Sequence, residues 1–253
     1  MTFPATRTSW FMLRMRSSLS LSVALLAAGA ARADQRSFIR SYEYATQPRG
    51  NLELEIWNEI EPPRGNLAAA LITNRVELEY GLTDHWDVSL YHVFQQGGPD
   101  HEPLRLDSWR VESRYRLAER GEWPVDVMLY LEGERPTALA DPFEIEEKLI
   151  LARDLGRFGL VLNLVGEQKI FRGAERSWEV DLGARYEVAP QLRVAAEVWT
   201  IQAVSGAGTV GSYYAGPSVS VATGRFWIQA GAGAGIGDSS SAFQFRSVLG
   251  FNL

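Results

Sequence analysis

The stretch VELEYGLTDHWDVSLY, residues 76–91, alternates apolar and polar side chains on both sides of a short polar turn. In its first half, Val76, Leu78 and Tyr80 are separated by glutamates. After a short Thr-Asp-His turn, the same alternation continues through the second half. Successive side chains of a strand point to opposite faces, so this period of two predicts a β-hairpin with one apolar and one charged face.

Twelve segments of this kind follow one another between residue 52 and the C-terminus, and their connections alternate in length. Short connections such as Thr-Asp-His and Ala-Pro-Gln are followed by long ones such as QQGGPDHEPLR (residues 95–105) and QAVSGAGTVGS (residues 202–212). A soluble sandwich would also have strands with one apolar and one polar face. The alternation of short turns and long loops favours an outer-membrane barrel instead.

Aromatic residues lie near the strand ends, on the apolar faces. Tyr80, Tyr115 and Tyr186 each come just before a short turn, in a repeated Tyr-x-apolar-turn pattern. Aromatic rings form belts at the two membrane–water interfaces of a barrel. The predicted belt residues are Tyr80, Trp86, Trp109, Tyr115, Trp178 and Tyr186.

The last segment, FQFRSVLGFNL (residues 243–253), keeps alternating up to the final residue. It resembles the C-terminal signal of bacterial outer-membrane barrels, and this resemblance implies the barrel-assembly machinery as a partner. Phe251 and Leu253 would carry the signal, although such barrels most often end in Phe. Soluble domains usually have frayed polar termini instead.

These patterns predict an all-β fold, a transmembrane antiparallel up-and-down β-barrel of about 12 strands over residues 51–253. Outer-membrane lipid would cover the apolar faces, and the charged faces would point into the interior. The bacterial outer membrane is the predicted location. Glu147 interrupts an apolar face, which predicts either a position near the membrane interface or a bulge in that strand.

The first 33 residues predict a secretory signal peptide. Arginines at positions 7, 14 and 16 precede the apolar run LSLSVALLAAGA (residues 19–30), and Ala-Arg-Ala then gives a cleavage site at residues 31–33. A membrane-spanning helix would need a longer run, of roughly 20 residues. Residues 34–50, which precede the first strand, form either a periplasmic tail or a partial plug inside the barrel.

Charge and composition exclude several classes of function. Four of the 25 basic residues and none of the 31 acidic residues lie in the signal peptide, so the mature chain has a net charge of −10. This balance argues against nucleic acid as a partner. The chain has no cysteine, which excludes disulfides and thiol chemistry. Because His85, His92 and His101 share no metal-ligand spacing and no nucleophile motif, we expect no metal, no cofactor and no catalytic residue.

Three stretches resemble a family of proteobacterial outer-membrane barrels: YEYATQPRGNLELEIW (residues 42–57), NRVELEYGLTDHWDVSLY (residues 74–91) and the closing strand. They are also similar in style to the MetA-type barrels of phenol-degradation clusters. The resemblance implies the fold, the outer-membrane location and a role in transport. It implies no particular solute and no catalytic residues.

Charged residues on the faces opposite the apolar ones are candidates for the lumen. Acidic residues outnumber basic ones there, which predicts a narrow pore or transporter for small neutral or cationic solutes. In a second interpretation, the arginines pair with neighbouring carboxylates, and the closed barrel serves structure or interaction through its extracellular loops. A lipid-modifying enzyme is the third alternative. The predicted lumen-lining residues are Glu53, Glu77, Glu79, Arg110, Glu112, Arg114, Arg116, Asp126, Glu132 and Arg185.

Overall fold

The computed structural model describes residues 35–170 and 175–253, whose strands form one closed barrel. Each strand is antiparallel to both neighbours, and the last pairs with the first, which confirms the predicted fold. The predicted signal peptide lies outside the described residues. A short 3-10 helix spans Leu67–Ala69, and no helix of the described ranges is long and apolar enough to cross a membrane. The strands are β1 (Leu52–Glu61), β2 (Leu71–Thr83), β3 (Trp86–Gly97), β4 (Glu102–Arg116), β5 (Asp126–Pro136), β6 (Phe143–Leu155), β7 (Phe158–Ile170), β8 (Arg176–Ala189), β9 (Leu192–Ser205), β10 (Gly208–Thr223), β11 (Phe226–Ile236) and β12 (Phe243–Asn252).

The outer surface of the barrel is apolar and the inner surface is rich in charge. On β2 and β3, Leu78 and Leu90 expose 43% and 45% of their surface, whereas Glu77 and Glu79 expose 0%. A water-soluble protein has the opposite distribution, because charged residues are almost never fully buried and large apolar patches are rarely exposed. Lipid can cover such an exterior, since every backbone group of a closed sheet has a partner within the sheet.

The two ends of the barrel differ. We call the end that carries the β2–β3, β4–β5, β6–β7, β8–β9 and β10–β11 connections the turn end, and the opposite end the loop end. Gly156 and Gly224 lie in two-residue turns after β6 and β10, with φ angles of 64° and 58°. This left-handed conformation suits tight hairpins and favours glycine. In outer-membrane barrels, the end with the short turns faces the periplasm.

Strands β1 and β12 close the barrel. Leu54 pairs with Phe251 in the register of the two strands, and the Leu253 N–H donates to the Leu52 carbonyl at 2.9 Å. The Phe251 ring stacks on that of Phe226, with 4.5 Å between centroids. The two residues predicted to carry the assembly signal therefore lie at the turn end of the closing seam.

Glu147 lies on the outer surface of β6. It pairs with Leu131 on β5 and with Gly166 on β7, and the register is regular along both pairs of strands. Of the two predicted alternatives, the bulge is therefore not the one observed. Gly166 pairs in turn with Trp178 on β8, so no side chain lies between the Glu147 carboxylate and the Trp178 indole on the outer surface.

Candidate functional site

Residues 35–50, which we call the plug segment, lie inside the barrel. At one end, the Gly50 N–H donates to the Gly81 carbonyl at 2.8 Å, close to the turn between β2 and β3. At the other end, Gln35 Nε2 donates to Ser220 Oγ at 2.7 Å, near the turn-end terminus of β10. Between them the segment rises as far as Arg40. It is a loop that enters the lumen from the turn end and returns to the same end.

Apolar side chains of the plug segment pack against the wall. Phe38, Tyr42 and Tyr44 belong to one buried cluster with residues of β5, β6, β7 and β9, and Ile39 contacts Trp199. Glycines of the wall make room for these side chains. A Cβ at Gly183 would lie 2.6 Å from the Phe38 ring, and one at Gly231 would lie 2.6 Å from Ile39. The two glycines therefore leave the space that the side chains of Phe38 and Ile39 occupy.

Side chains of the wall satisfy the backbone of the plug segment. The Glu197 carboxylate accepts hydrogen bonds from the backbone N–H groups of Ile39, Arg40 and Ser41, the last at 3.0 Å. The Asn163 side chain accepts from the Tyr42 N–H at 2.6 Å and donates to the Tyr42 carbonyl at 3.1 Å. A buried segment without secondary structure needs such partners, because unpaired backbone groups are costly.

Two arginines of the plug segment bind acidic residues on different walls. Arg36 Nε lies 3.1 Å from the Glu55 carboxylate of β1, and its guanidinium stacks on the Trp57 ring at 4.5 Å. Arg40 forms a bidentate pair with Glu179 of β8, at 2.5 and 2.6 Å. Bidentate charge-assisted bonds are among the stronger polar contacts in proteins. The plug segment thus spans the lumen between opposite sides of the sheet.

Arg114 is the centre of a buried ionic cluster near Arg36. Its guanidinium contacts Asp87 at 2.6 Å, Glu112 at 3.3 Å and also Glu79. Arg36 approaches Glu79 at 3.9 Å, which joins the two arginines through a shared acid. Acidic residues outnumber cations here, so Arg36 supplies needed countercharge from the plug segment.

The structure places all ten predicted lumen-lining residues on the inward face of the barrel, but in separate groups. Glu79, Glu112 and Arg114 share the buried cluster, and Arg110 pairs with Glu132 at 3.0 Å. The remaining residues make other contacts: Glu53 with Asn252 and Trp227, Glu77 with Trp57, Arg116 with Thr46, Asp126 with the Gly121 N–H, and Arg185 with Glu43.

A polar cavity of about 120 Å³ lies on the loop-end side of the plug segment. Arg40 and Tyr42 of the plug segment contribute to its lining. The wall contributes charged residues of both signs, among them Arg75, Lys148 and Glu167. The cavity is thus a part of the lumen that the plug segment leaves open.

The sequence did not reveal the role of Arg36 and Arg40, or that Trp57 and Trp199 point inward. The available signal was the stretch RSFIRSYEY (residues 36–44), in which arginines and aromatic residues precede the first strand. Such a composition is unusual for a solvated tail, which is typically poor in aromatic residues.

The predicted belt residues lie on the outer surface: Tyr80, Trp86, Trp109, Tyr115 and Trp178 are exposed, and Tyr186 is half-buried against Phe158. The three histidines lie far apart along the barrel. His85 lies in a turn and contacts Glu119 at 2.8 Å, His92 is on the outer surface, and His101 lies in a loop-end connection. Within the described ranges, no three His, Cys, Asp or Glu residues are grouped as a metal site would require.

Several solved structures share this fold. No protein-family model and no curated protein matches the sequence. The COG4313 outer membrane channel from Pseudomonas putida F1 superimposes with a TM-score of 0.59 at 12% identity, over 85% of this chain and 100% of that one. The NanC porin gives 0.61 at 10% identity over 79% and 100%, and the KdgM porin 0.58 at 8% identity over 79% and 99%. The apolar exterior, the closed sheet and this likeness together identify a barrel of the bacterial outer membrane.

Proposed function

We propose that the protein is a gated channel for small solutes, which the plug segment closes and which opens when that segment leaves the lumen. One observation carries the proposal. Among the described residues, the plug segment joins the wall by backbone-to-backbone bonds only where Gly50 meets Gly81. Its other polar contacts use side chains, so the segment can leave without breaking the hydrogen-bonded sheet. The structural neighbours are named as porins and channels, in keeping with this role.

The selectivity that follows from this proposal is for neutral or cationic solutes. The plug segment carries Arg36, Arg40 and Arg49 against a single acid, Glu43. Its departure removes the cations that face Glu55 and the other acids of the wall. The open lumen would then be more negative than the closed one, and charged rings of a pore select ions of opposite sign.

The second candidate is a barrel that stays closed and acts through its extracellular loops. The observation in its favour is the number of ion pairs that tie the plug segment to the wall. A lipid-modifying enzyme has less support, since the described histidines are not brought together with a nucleophile.

Similarity to MetA-type barrels stays a prediction. So does recognition of Phe251 and Leu253 by the assembly machinery, although their place at the end of the closing seam suits it.

A disulfide lock tests the gate, and the absence of native cysteine makes it specific. Ser218 Oγ donates to the Ser37 carbonyl at 2.6 Å, so the two residues are in contact, and the double variant Ser37→Cys and Ser218→Cys is designed to tie the plug segment to β10. In planar bilayers we expect discrete current steps under reducing conditions and none after oxidation. The single variant Ser37→Cys, oxidised in the same way, should keep conducting.

Two results would count against the proposal. Equal currents before and after oxidation, with the disulfide verified, would show that solutes do not need the plug segment to move. Folded protein with heat-modifiable gel mobility that is silent under every condition would favour the closed structural barrel.

A further inference from the structure

The cavity on the loop-end side of the plug segment has a surplus of positive charge on one side. Arg75 of β2 and Arg246 of β12 both bind the single carboxylate of Glu59, at 3.0 and 2.5 Å. The Trp57 ring lies beneath both guanidinium groups, with centroid distances of 5.5 and 5.1 Å. Two cations therefore share one acid and are held in place by one aromatic ring.

The opposite side of the cavity has a surplus of negative charge. Glu146 and Lys148 of β6 pair with each other at 2.8 Å. The side chain of Glu167 on β7 lines the same cavity and forms no hydrogen bond or ion pair with any residue in the ranges 35–170 and 175–253. Strands β1 and β7 stand six places apart around the barrel of twelve, so the two surpluses face each other across the lumen.

Unused hydrogen-bonding groups accompany this charge separation. The Nε atoms of Arg75 and Arg110 are buried and have no hydrogen-bond partner among the described residues. Both residues line the cavity. Buried donors without partners are costly, so a ligand acceptor toward which either guanidinium group turns would stabilise this part of the barrel. A carboxylate is one of the acceptors that arginine binds in a bidentate manner.

We infer that the cavity binds a small zwitterion, with its carboxylate toward Arg75 and Arg246 and its ammonium group toward Glu167. This inference rests on the proposed function and names the solute class for it. A simple anion would face the carboxylates of Glu146 and Glu167, and a simple cation would face the two arginines, so neither satisfies both sides. The cavity volume of about 120 Å³ limits the ligand to a small molecule, which suits an amino acid of few carbons.

Calorimetric titration of the full mature protein in detergent tests the inference. The probes are ω-amino acids from glycine to 6-aminohexanoate, each compared with the carboxylic acid and the amine of the same carbon chain. We expect one ω-amino acid to bind at least about tenfold more tightly than both of its matched compounds. The preferred chain length would report the separation between the two charged sides.

Variants assign the binding to the two sides. Glu167→Gln should reduce the affinity of the zwitterion to that of the matched carboxylic acid, and Arg75→Gln should reduce it to that of the matched amine. Glu175→Gln and Arg105→Gln change exposed charges near the loop end and should leave the affinity unchanged.

Three outcomes would overturn the inference: no binding of any probe, equal binding of zwitterion and matched acid, or a preference that persists in Glu167→Gln. The titration needs no conduction. A channel that fails the disulfide test can still bind the zwitterion, and a gated channel can fail to bind it, so the two proposals fail separately.

Discussion

Arg36 of the plug segment and Glu55 of β1 form an ion pair of 3.1 Å inside the barrel, with Glu55 fully buried. The same guanidinium lies 3.9 Å from both Glu77 and Glu79. Glu55 and, in part, its neighbours Glu77 and Glu79 thus depend on a cation that does not belong to the wall. Buried carboxylates without a cation are strongly destabilising, so this pair couples the position of the plug segment to the stability of the barrel.

Replacing Arg36 should open the lumen and weaken the fold together. Arg36→Gln leaves Glu55, Glu77 and Glu79 without this countercharge, and the loss of one partner of a buried pair costs about 3–5 kcal/mol. We expect frequent current steps in planar bilayers and a lower urea midpoint of unfolding in lipid. Arg49→Gln, at an exposed arginine of the same segment, is the control and should behave as the wild type. Identical conductance of both variants would show that the ion pair between Arg36 and Glu55 does not hold the channel closed.

A methyl group added at Gly183, where the Phe38 ring packs, should displace the plug segment without changing any charge. A Cβ at Gly183 would lie 2.6 Å from the Phe38 ring, whereas one at Gly166 on the outer surface meets no atom within 4 Å. We therefore expect Gly183→Ala to speed tryptic cleavage after Arg36 and Arg40, and Gly166→Ala to leave the rate unchanged. Equal cleavage rates would mean that the ring moves aside and the segment stays bound.

Glu197 should control the protection of three backbone amides. Its carboxylate accepts from the N–H groups of Ile39, Arg40 and Ser41. Glu197→Ala removes these acceptors, and each amide left without a partner costs about 1–3 kcal/mol. Hydrogen exchange should then be faster at residues 39–41, with little change in the strands. Glu197→Gln keeps one acceptor oxygen and should show a smaller effect; full protection in Glu197→Ala would refute the assigned role.

Glu147 should destabilise the folded protein, because it places an acid on the lipid-facing surface of β6. An acid costs less there than a basic residue would, and the cost depends on depth in the bilayer. Glu147→Leu should therefore raise the free energy of unfolding in lipid vesicles by about 1 kcal/mol or less. Glu175→Leu, at an exposed position beyond the strands, should give no such gain. A loss of stability in Glu147→Leu would indicate that the carboxylate has a favourable partner in the membrane.

The barrel could be predicted from the sequence because its signals are local. Each hairpin has its own period of two, and connection lengths and belt aromatics lie within a few residues of the strands they mark. Partners around the barrel were harder to predict. Arg110 pairs with Glu132 on β5, whereas Arg114 pairs with Asp87, directly opposite on β3, and also reaches Glu79 on β2. Alternation shows which residues point inward, not which neighbour each one contacts.

The plug segment could not be placed from the sequence for a related reason. Residues 35–50 have no periodicity, and their partners lie far along the chain. Glu197 is 158 residues from Ile39, and Ser220 is 185 residues from Gln35. Such contacts exist only once the barrel is closed. The packing of Phe38 on Gly183 and of Ile39 on Gly231 is equally hard to predict, since a glycine within a strand often marks a bulge or a tight bend instead.

Because the plug segment enters and leaves the lumen at the turn end, its response to mechanical force depends on direction. Tension applied at residue 35 from the periplasmic side loads the contact of Gln35 with Ser220 first, and the contacts of Arg36, Phe38 and Arg40 only afterwards. The segment would peel away one contact at a time, at a force set by the strongest single contact. A push from the loop end would instead load all contacts together. The plug segment thus resists pressure from the cell exterior better than it resists a pull from the periplasm.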